Sequence, residues 1–427
     1  YSKWNPVWQT GTMMAGEGYT MKGSWNISVE DAEDQGYYQN YTFKGFPNNG
    51  NLKMKMVHIN QNYLLGNPYP SAIIAEKFIE DNKGAINGAV YFWHHFGGMS
   101  HYLKEYIGGY ATWNYTAGVP AASVDERINN NNDKSGRPIP GPYIPVGQGF
   151  FINSTVGEGT QTPKEVVFNN TQRIFVTEAD GEDSYFHSQE ELQKKKVKQQ
   201  NKTPLIRLNF NSPKGYWRQI AVGANPVATN AVDYGYDAPL LDNNSEDMFW
   251  MINDKKFVIQ GVSDFNLDQV LPLGIKIAEA GKFNIKIAAL SNLPDNTRIY
   301  IHDKLYDLYF DISEEEFSAK IEPGEYYDRY QLVFEKPQLI DESDMVLPGD
   351  FEILYVNGTR EIKLRNPGLQ KISKVYLNNI LGQQVHVYHH IPTEHEVDLP
   401  VKRFSSGVYI VKAYTEDGVI SKKIILE

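Results

Sequence analysis

The feature that most constrains this chain is alternation: short runs in which apolar and polar residues take turns, cut by turn residues roughly every ten positions. In LIRLNF, Leu205, Arg207 and Asn209 alternate with Ile206, Leu208 and Phe210, and FNIKIAAL, RIYIHD and YQLVFE follow the same rule. A period of two puts successive side chains on opposite faces of a strand. The last ~80 residues, about one small β-domain, carry the same pattern. There Val375 and Leu377 run into a turn at Asn378, Asn379 and Gly382, and Val385 and Val387 resume it. Gly407 precedes Val408, Ile410 and Lys412, which alternate with Tyr409, Val411 and Ala413. Asp417-Gly418 is a hairpin signal, and so is Asn357-Gly358 between Phe351–Val356 and Thr359–Leu364.

Composition agrees with strands. Tyr, Trp and Phe make up 13% of the 427 residues, and Gly and Asn are frequent, which favours sheets joined by polar loops. A chain of this length holds about two to four domains and buries a large core. The expected class is all-β: an aromatic-rich antiparallel domain at 1–176 with one short helix, a β-sandwich at 204–336 and an immunoglobulin-like sandwich at 350–427. Charged, apolar-poor stretches at 177–203 and 337–349 read as linkers. The helix is expected in SAIIAEKFIEDN, opened by Pro70 and Ser71, with Ile73, Ile74, Phe78 and Ile79 on one face and Asn82 to Gly84 at its end. Met21–Ile27 reads as a strand, Asn129 to Pro142 as a long loop and Pro294-Asp295-Asn296 as a turn.

Charge and residue usage exclude whole classes of function. The net charge of −11 leaves little material for a basic stripe, so nucleic acid is not an expected partner. Residues 351–427 hold 10 Lys+Arg against 8 Asp+Glu, leaving 31 against 44 for the rest, which sets the tail apart as a module. The absence of cysteine excludes disulfides, thiolate catalysis and Cys-based zinc sites. No apolar run reaches the ~20 residues of a membrane-spanning helix. The chain opens YSKWNPVWQT, without Met or a secretory signal, so the expectation is the C-terminal portion of a longer or processed protein.

Three motifs in the tail point further. NILGQ-x-V, then SSGVYIVK, then a terminal SKKII together resemble the type A C-terminal sorting domain of the type IX secretion system. That resemblance implies an immunoglobulin-like sandwich acting as an export address at the outer membrane, often removed by a transpeptidase that joins the cargo to a surface lipid. The implied partners are outer-membrane components of that machinery: translocon, shuttle barrel and sortase-like transpeptidase. The residues singled out for recognition are Leu381, Gly382, Gly407, Tyr409, Lys422 and Lys423. The family usually opens on a Tyr-Pro-Asn-Pro-like turn, whereas this chain has ILYVNGTREIKL. Upstream, GNPYPSAI, the YFW strand, YIPVGQGFF, VFNNTQR, DYGYDA and YYDRYQLVF are similar to the region before the sorting domain in large exported surface proteins, some of them adhesins of gliding bacteria.

No nucleophile elbow or zincin motif is present. His94, His95 and His101, and His386, His389, His390 and His395, form two groups, but strand neighbours such as His94 and His95 point to opposite faces. Asp233, Asp237, Asp242 and Asp247 with Asn243 and Asn244 offer oxygen ligands for calcium, yet lack EF-hand spacing; an acidic, turn-rich loop is the plainer reading. Trp93, Tyr102, Tyr106 and Trp113 are residues of the kind that stack on sugars and equally of the kind that fill β cores. The expected function is therefore an exported cell-surface protein, adhesive or structural, without catalysis, cofactor or metal in this portion. Surface polysaccharide is a candidate ligand. The competing expectation is a secreted hydrolase or carbohydrate-binding protein with the same tail.

Overall fold

The computed structural model describes residues 11–20, 44–97, 107–123, 139–155, 164–176, 203–334 and 351–426, with short breaks at 295–296, 306, 314, 380–383, 402 and 416–417. The expected strand at Met21–Ile27, most of the 129–142 loop, the linker at 337–349 and all but Thr203 of that at 177–203 lie outside these residues. The chain divides into two compact units, Tyr1–Ile301 with Asp311–Phe334, and His302–Phe310 with Glu335–Glu427. Both are built almost wholly of strands, as the alternation requires.

In the first unit, the strands Asn62–Gly66, Gly149–Asn153, Val90–Gly97, Ile107–Trp113 and Gly118–Val119 form one antiparallel sheet in that order. Its inner face carries Leu65, Phe92, Ala111, Phe150 and Ile152, all buried. They meet Phe78 and Ile79 of the helix Ala75–Asp81, the one α-helix among the described residues. Phe78 sits edge-on to Phe150 at 5.2 Å and tilted against Phe168 at 5.2 Å.

The helix starts later than Pro70 and Ser71 suggest. Ala72–Ile74 is a strand, paired with Tyr143–Ile144 on one side and Arg173–Ile174 on the other. Ile73 and Ile74 are β-branched, and two ladder partners outweigh the helical spacing they share with Phe78. The end falls where expected. Buried Asn82 donates to the carbonyls of Phe78 and Val167 and accepts from the Val167 N–H, so one amide both stops the helix and holds a neighbouring strand.

Residues 205–334 build a larger sheet. Eight of its eleven strands are consecutive neighbours in the order Gly324–Val333, Val270–Ile277, Asp247–Ile252, Lys255–Val262, Trp217–Ala224, Leu205–Asn211, Gly281–Ser291 and Phe317–Ile321. Neighbours are antiparallel except Trp217–Ala224 and Lys255–Val262, which pair in parallel. The sequence expectation was antiparallel throughout; here a return of about thirty residues allows a crossover. Trp217–Ala224 is buried along its whole length, as a strand covered on both faces must be. The sheet folds back on itself: Tyr330 packs edge-on against Phe283 at 5.7 Å and Phe317 at 5.9 Å.

The two β regions of this unit share a core. Ala89, Tyr91, Ala117 and Val119 pack with Ala221, Ala238, Val258 and Ile259. The motif DYGYDA is the fastener. Tyr234 donates its hydroxyl to the Ile79 carbonyl at the helix end (2.7 Å), and the Tyr236 carbonyl accepts from Thr116 Oγ1 (2.7 Å). Between them Gly235 accepts from the Tyr115 N–H at 2.8 Å. Gly235 has φ +82° and lies so near Gly88 that a Cβ on Gly88 would stand 2.5 Å from its nitrogen, so only glycine fits either place.

The second unit contains the immunoglobulin-like sandwich. One sheet holds Glu352–Val356, Glu361–Arg365 and Glu396–Pro400; the other holds Gln384–His389, Ile372–Asn379, Gly407–Thr415 and Gly418–Leu426, in those orders. Ile362, Leu364, Val375, Leu377 and Val411 are fully buried between them. The expected Asn357-Gly358 turn is present, joining Val356 to Glu361.

Candidate functional site

The candidate site is the terminal hairpin, Gly407–Thr415 with Gly418–Leu426. Its register pairs Val408 with Ile425, Ile410 with Lys423, Val411 with Lys422 and Thr415 with Gly418. Glu416 and Asp417, between the paired Thr415 and Gly418, lie outside the described residues. Gly418–Leu426 is the edge strand of its sheet.

The six residues singled out from the sequence divide into three kinds. Leu381 and Gly382 lie outside the described residues. Gly407 and Tyr409 have architectural roles. Gly407 takes φ +157°, unfavourable for a residue with a Cβ, and Tyr409 points inward, 7% exposed. The Tyr409 hydroxyl donates to the Ser405 carbonyl at 3.0 Å, tying the preceding bend to the strand. Lys422 is partly buried, whereas Lys423 is exposed. On the face of Lys423 stands Ile425, 59% exposed, with the partly buried Val408 and Ile410 opposite. This strip went unremarked in the sequence, although the alternation of Lys423 and Ile425 against Ile424 and Leu426 contains it.

Three of this unit's histidines, His386, His389 and His390, line a groove of about 560 Å³ together with Glu394, Glu396 and Asp398. Three of those groups, Glu396, Asp398 and His386, have basic partners. Lys363 reaches Glu396 at 3.1 Å and Asp398 at 3.4 Å, and Arg403 lies against His386. Burial, with Arg403 beside it, holds the His386 imidazole below its ordinary pKa. His389 and His390 are 6.5 Å apart, and His395 is exposed. In the first unit His94 is buried and His95 exposed, on opposite faces of their strand, and His101 lies outside the described residues. Among the described residues no three His, Asp or Glu groups converge as metal ligands.

The acidic loop considered for calcium is wired into the core instead. Arg218, 1% exposed, grips Asp247 with Nε and Nη2 at 2.7 Å each, and Nη2 also reaches Asp242 at 2.8 Å. Burial opposes the guanidinium's charge, but the two carboxylates outweigh it and hold its pKa above the ordinary value. Burial raises Asp242, although it accepts from both Arg218 and the Tyr110 N–H. Asp237 accepts from the N–H groups of Gly261 and Asp233, yet burial dominates and pushes its carboxyl up to about 7. Glu246 goes the other way. Burial would raise it, but the Ser212 hydroxyl and the N–H groups of Lys214, Glu279 and Ala278 lower it.

Of the aromatics considered for sugar stacking, Trp113 is buried and Trp93 is 37% exposed, edge-on to Tyr110 at 5.0 Å. Tyr102 and Tyr106 lie outside the described residues.

Comparison with known families completes the assignment. A family model described as a domain of unknown function (DUF8693) matches residues 1–334, and one described as a secretion system C-terminal sorting domain matches residues 356–427. No curated protein matches the sequence. The second match covers the sandwich from Val356 onward, all but its first strand, and includes the terminal hairpin, the segment whose motifs resemble the type IX address. It indicates export by the type IX system, through its machinery, to the cell surface or extracellular space. The chain belongs to the DUF8693 family and ends in a type IX C-terminal sorting domain.

Proposed function

We propose that residues 1–334 are a cell-surface cargo with an adhesive or structural role and no catalytic one, carried there by the sorting sandwich. The sandwich docks on outer-membrane components of the secretion machinery through the outer face of its terminal hairpin. The observation that carries this reading is the strip of Lys423 and Ile425 on the edge strand of its sheet, in the segment matched as a sorting domain. An edge strand offers free backbone donors and acceptors, Ile425 offers apolar area, and Lys423 a charge that selects orientation. Support for a non-catalytic body comes from its buried ionisable groups. Arg218, Asp242, Asp247, Asp237 and Glu246 all hold backbone or one another.

The test is a swap in a host with a type IX system. Residues 345–427 are fused to an inert reporter, and the same segment is deleted from the full chain. The reporter is expected at the surface and the truncated body in the periplasm. Export of the body without its tail refutes the reading.

A further inference from the structure

Arg207, partly buried, differs from Arg218, the fully buried arginine of the same sheet. Its Nη1 donates to the Gly118 carbonyl at 2.6 Å and to Gln219 Oε1 at 3.1 Å, and Gln219 Nε2 donates onward to Asn209 Oδ1 at 3.0 Å. This relay has a direction. Each side-chain acceptor is filled from within the protein, and what remains without a partner among the described residues is all donor: Nε and Nη2 of Arg207, and Nδ2 of Asn209. Arg207 and Asn209 are two apart on one strand, so both project from the same face. The cross-strand neighbours of Arg207 are Ala221 and Ala289, too short to cover its edge, and the side chain keeps a partly exposed surface.

A guanidinium taken largely out of water normally has a carboxylate beside it. Arg218 has two, and Asp247 fills its Nε–Nη2 edge with both oxygens. Arg207 has none. Burial acts on it unopposed and draws its pKa down to about 10. The same bidentate edge that Arg218 uses meets no acceptor among the described residues in Arg207, whose other edge is braced by Gly118 and Gln219.

We propose that the Nε–Nη2 edge of Arg207, with Asn209 Nδ2 beside it, binds a carboxylate carried by a ligand. A planar carboxylate matches two parallel N–H donors, as the Arg218–Asp247 pair shows within this same sheet. Such a group arrives either on a uronate of an acidic glycan or at a peptide C-terminus. The proposal is independent of the export reading, because it concerns an equilibrium measured on the purified chain.

The test uses full-length protein labelled with ¹⁵N-arginine and sodium acetate as the minimal probe. One Arg Nε–H signal, assigned by its loss in Arg207→Lys, is expected to move saturably. Ligand-observed saturation transfer then gives affinities for acetate, glucuronate, N-acetylglycylglycine and sulfate. Arg207→Lys keeps the charge but loses the fork, and is expected to weaken carboxylate binding by roughly tenfold or more. Asn209→Asp supplies the site with an internal carboxylate and is expected to abolish binding while Arg207 remains. Tighter glucuronate supports an acidic glycan as the source, and tighter N-acetylglycylglycine a peptide terminus. Sulfate binding more tightly than every carboxylate overturns the proposal. So do an unmoved Nε–H signal, or unchanged affinity in an Arg207→Lys protein that melts like the wild type.

Discussion

Replacing Arg218 with methionine keeps much of the side chain's volume and removes its charge, which separates electrostatics from packing. The wild-type guanidinium makes three charge-assisted contacts of 2.7–2.8 Å. Without it, Asp247 and Asp242, with side chains 3% and 8% exposed, remain in the core. Asp247 keeps Asn244 Nδ2 and the Met248 N–H as donors, and Asp242 keeps the Tyr110 N–H. Removing one partner of a buried ion pair costs about 3–5 kcal/mol. At roughly 2–4 °C per kcal/mol for a unit of this size, Tm falls by roughly 10 °C. Asp242→Asn gives the opposite balance, leaving Arg218 and Asp247 as a matched bidentate pair, and is expected to cost less than about 1.5 kcal/mol. Tryptophan fluorescence reads this directly, because all seven tryptophans lie at or before Trp250 and none in the sorting sandwich. An Arg218→Met midpoint within about 1 kcal/mol of wild type, or an Asp242→Asn loss as large as that of Arg218→Met, refutes the reasoning.

Other predictions follow from the same geometry. Asp237 has a folded pKa of about 7 against an ordinary 3.8, so between those values the folded state holds more protons and stability falls as pH rises. Denaturation midpoints by tryptophan emission should decline from about pH 4 to 7, and Asp237→Asn should flatten that slope; an unchanged slope disproves the assignment. Tyr409→Phe loses the hydrogen bond to the Ser405 carbonyl and is expected to cost about 0.5–1.5 kcal/mol, read from the melting of full-length protein by circular dichroism. Lys423→Glu with Ile425→Ser changes exposed side chains and should leave the fold within about 1 kcal/mol while blocking export of a fused reporter. Normal export of that variant removes the outer face from recognition.

The alternation made the class legible, because a period of two is written into each strand separately. The sorting sandwich was the most readable part: Asn357-Gly358 and the strands on either side of it are local signals. So was the end of the helix at Asn82. Its start was not, since the strand character of Ile73 and Ile74 comes from Tyr143–Ile144 and Arg173–Ile174, far away in the chain. The parallel pairing of Trp217–Ala224 with Lys255–Val262 was equally out of reach, because each run reads the same in either direction. At the candidate site, Gly407 and Tyr409 announce themselves by type, but whether Tyr409 faces in or out depends on the register with Ile424. The acidic stretch reads as a turn-rich loop, but the buried pairing of Asp242 and Asp247 stays hidden because their partner, Arg218, lies 24 and 29 positions away.

The order in which the large sheet closes has a consequence for synthesis. Gly324–Val333, the strand of this sheet synthesised last, pairs with Val270–Ile277, and its Tyr330 completes the ring cluster with Phe283 and Phe317. Contacts of such long sequence separation form late, after much chain entropy has been lost. Until residue 334 has left the ribosome, the cargo lacks the strand that seals its core, and the sorting motifs are still unmade. Translation therefore runs cargo first and address second. A chain that stalls before residue 334 carries neither a finished sheet nor the segment that would send it out.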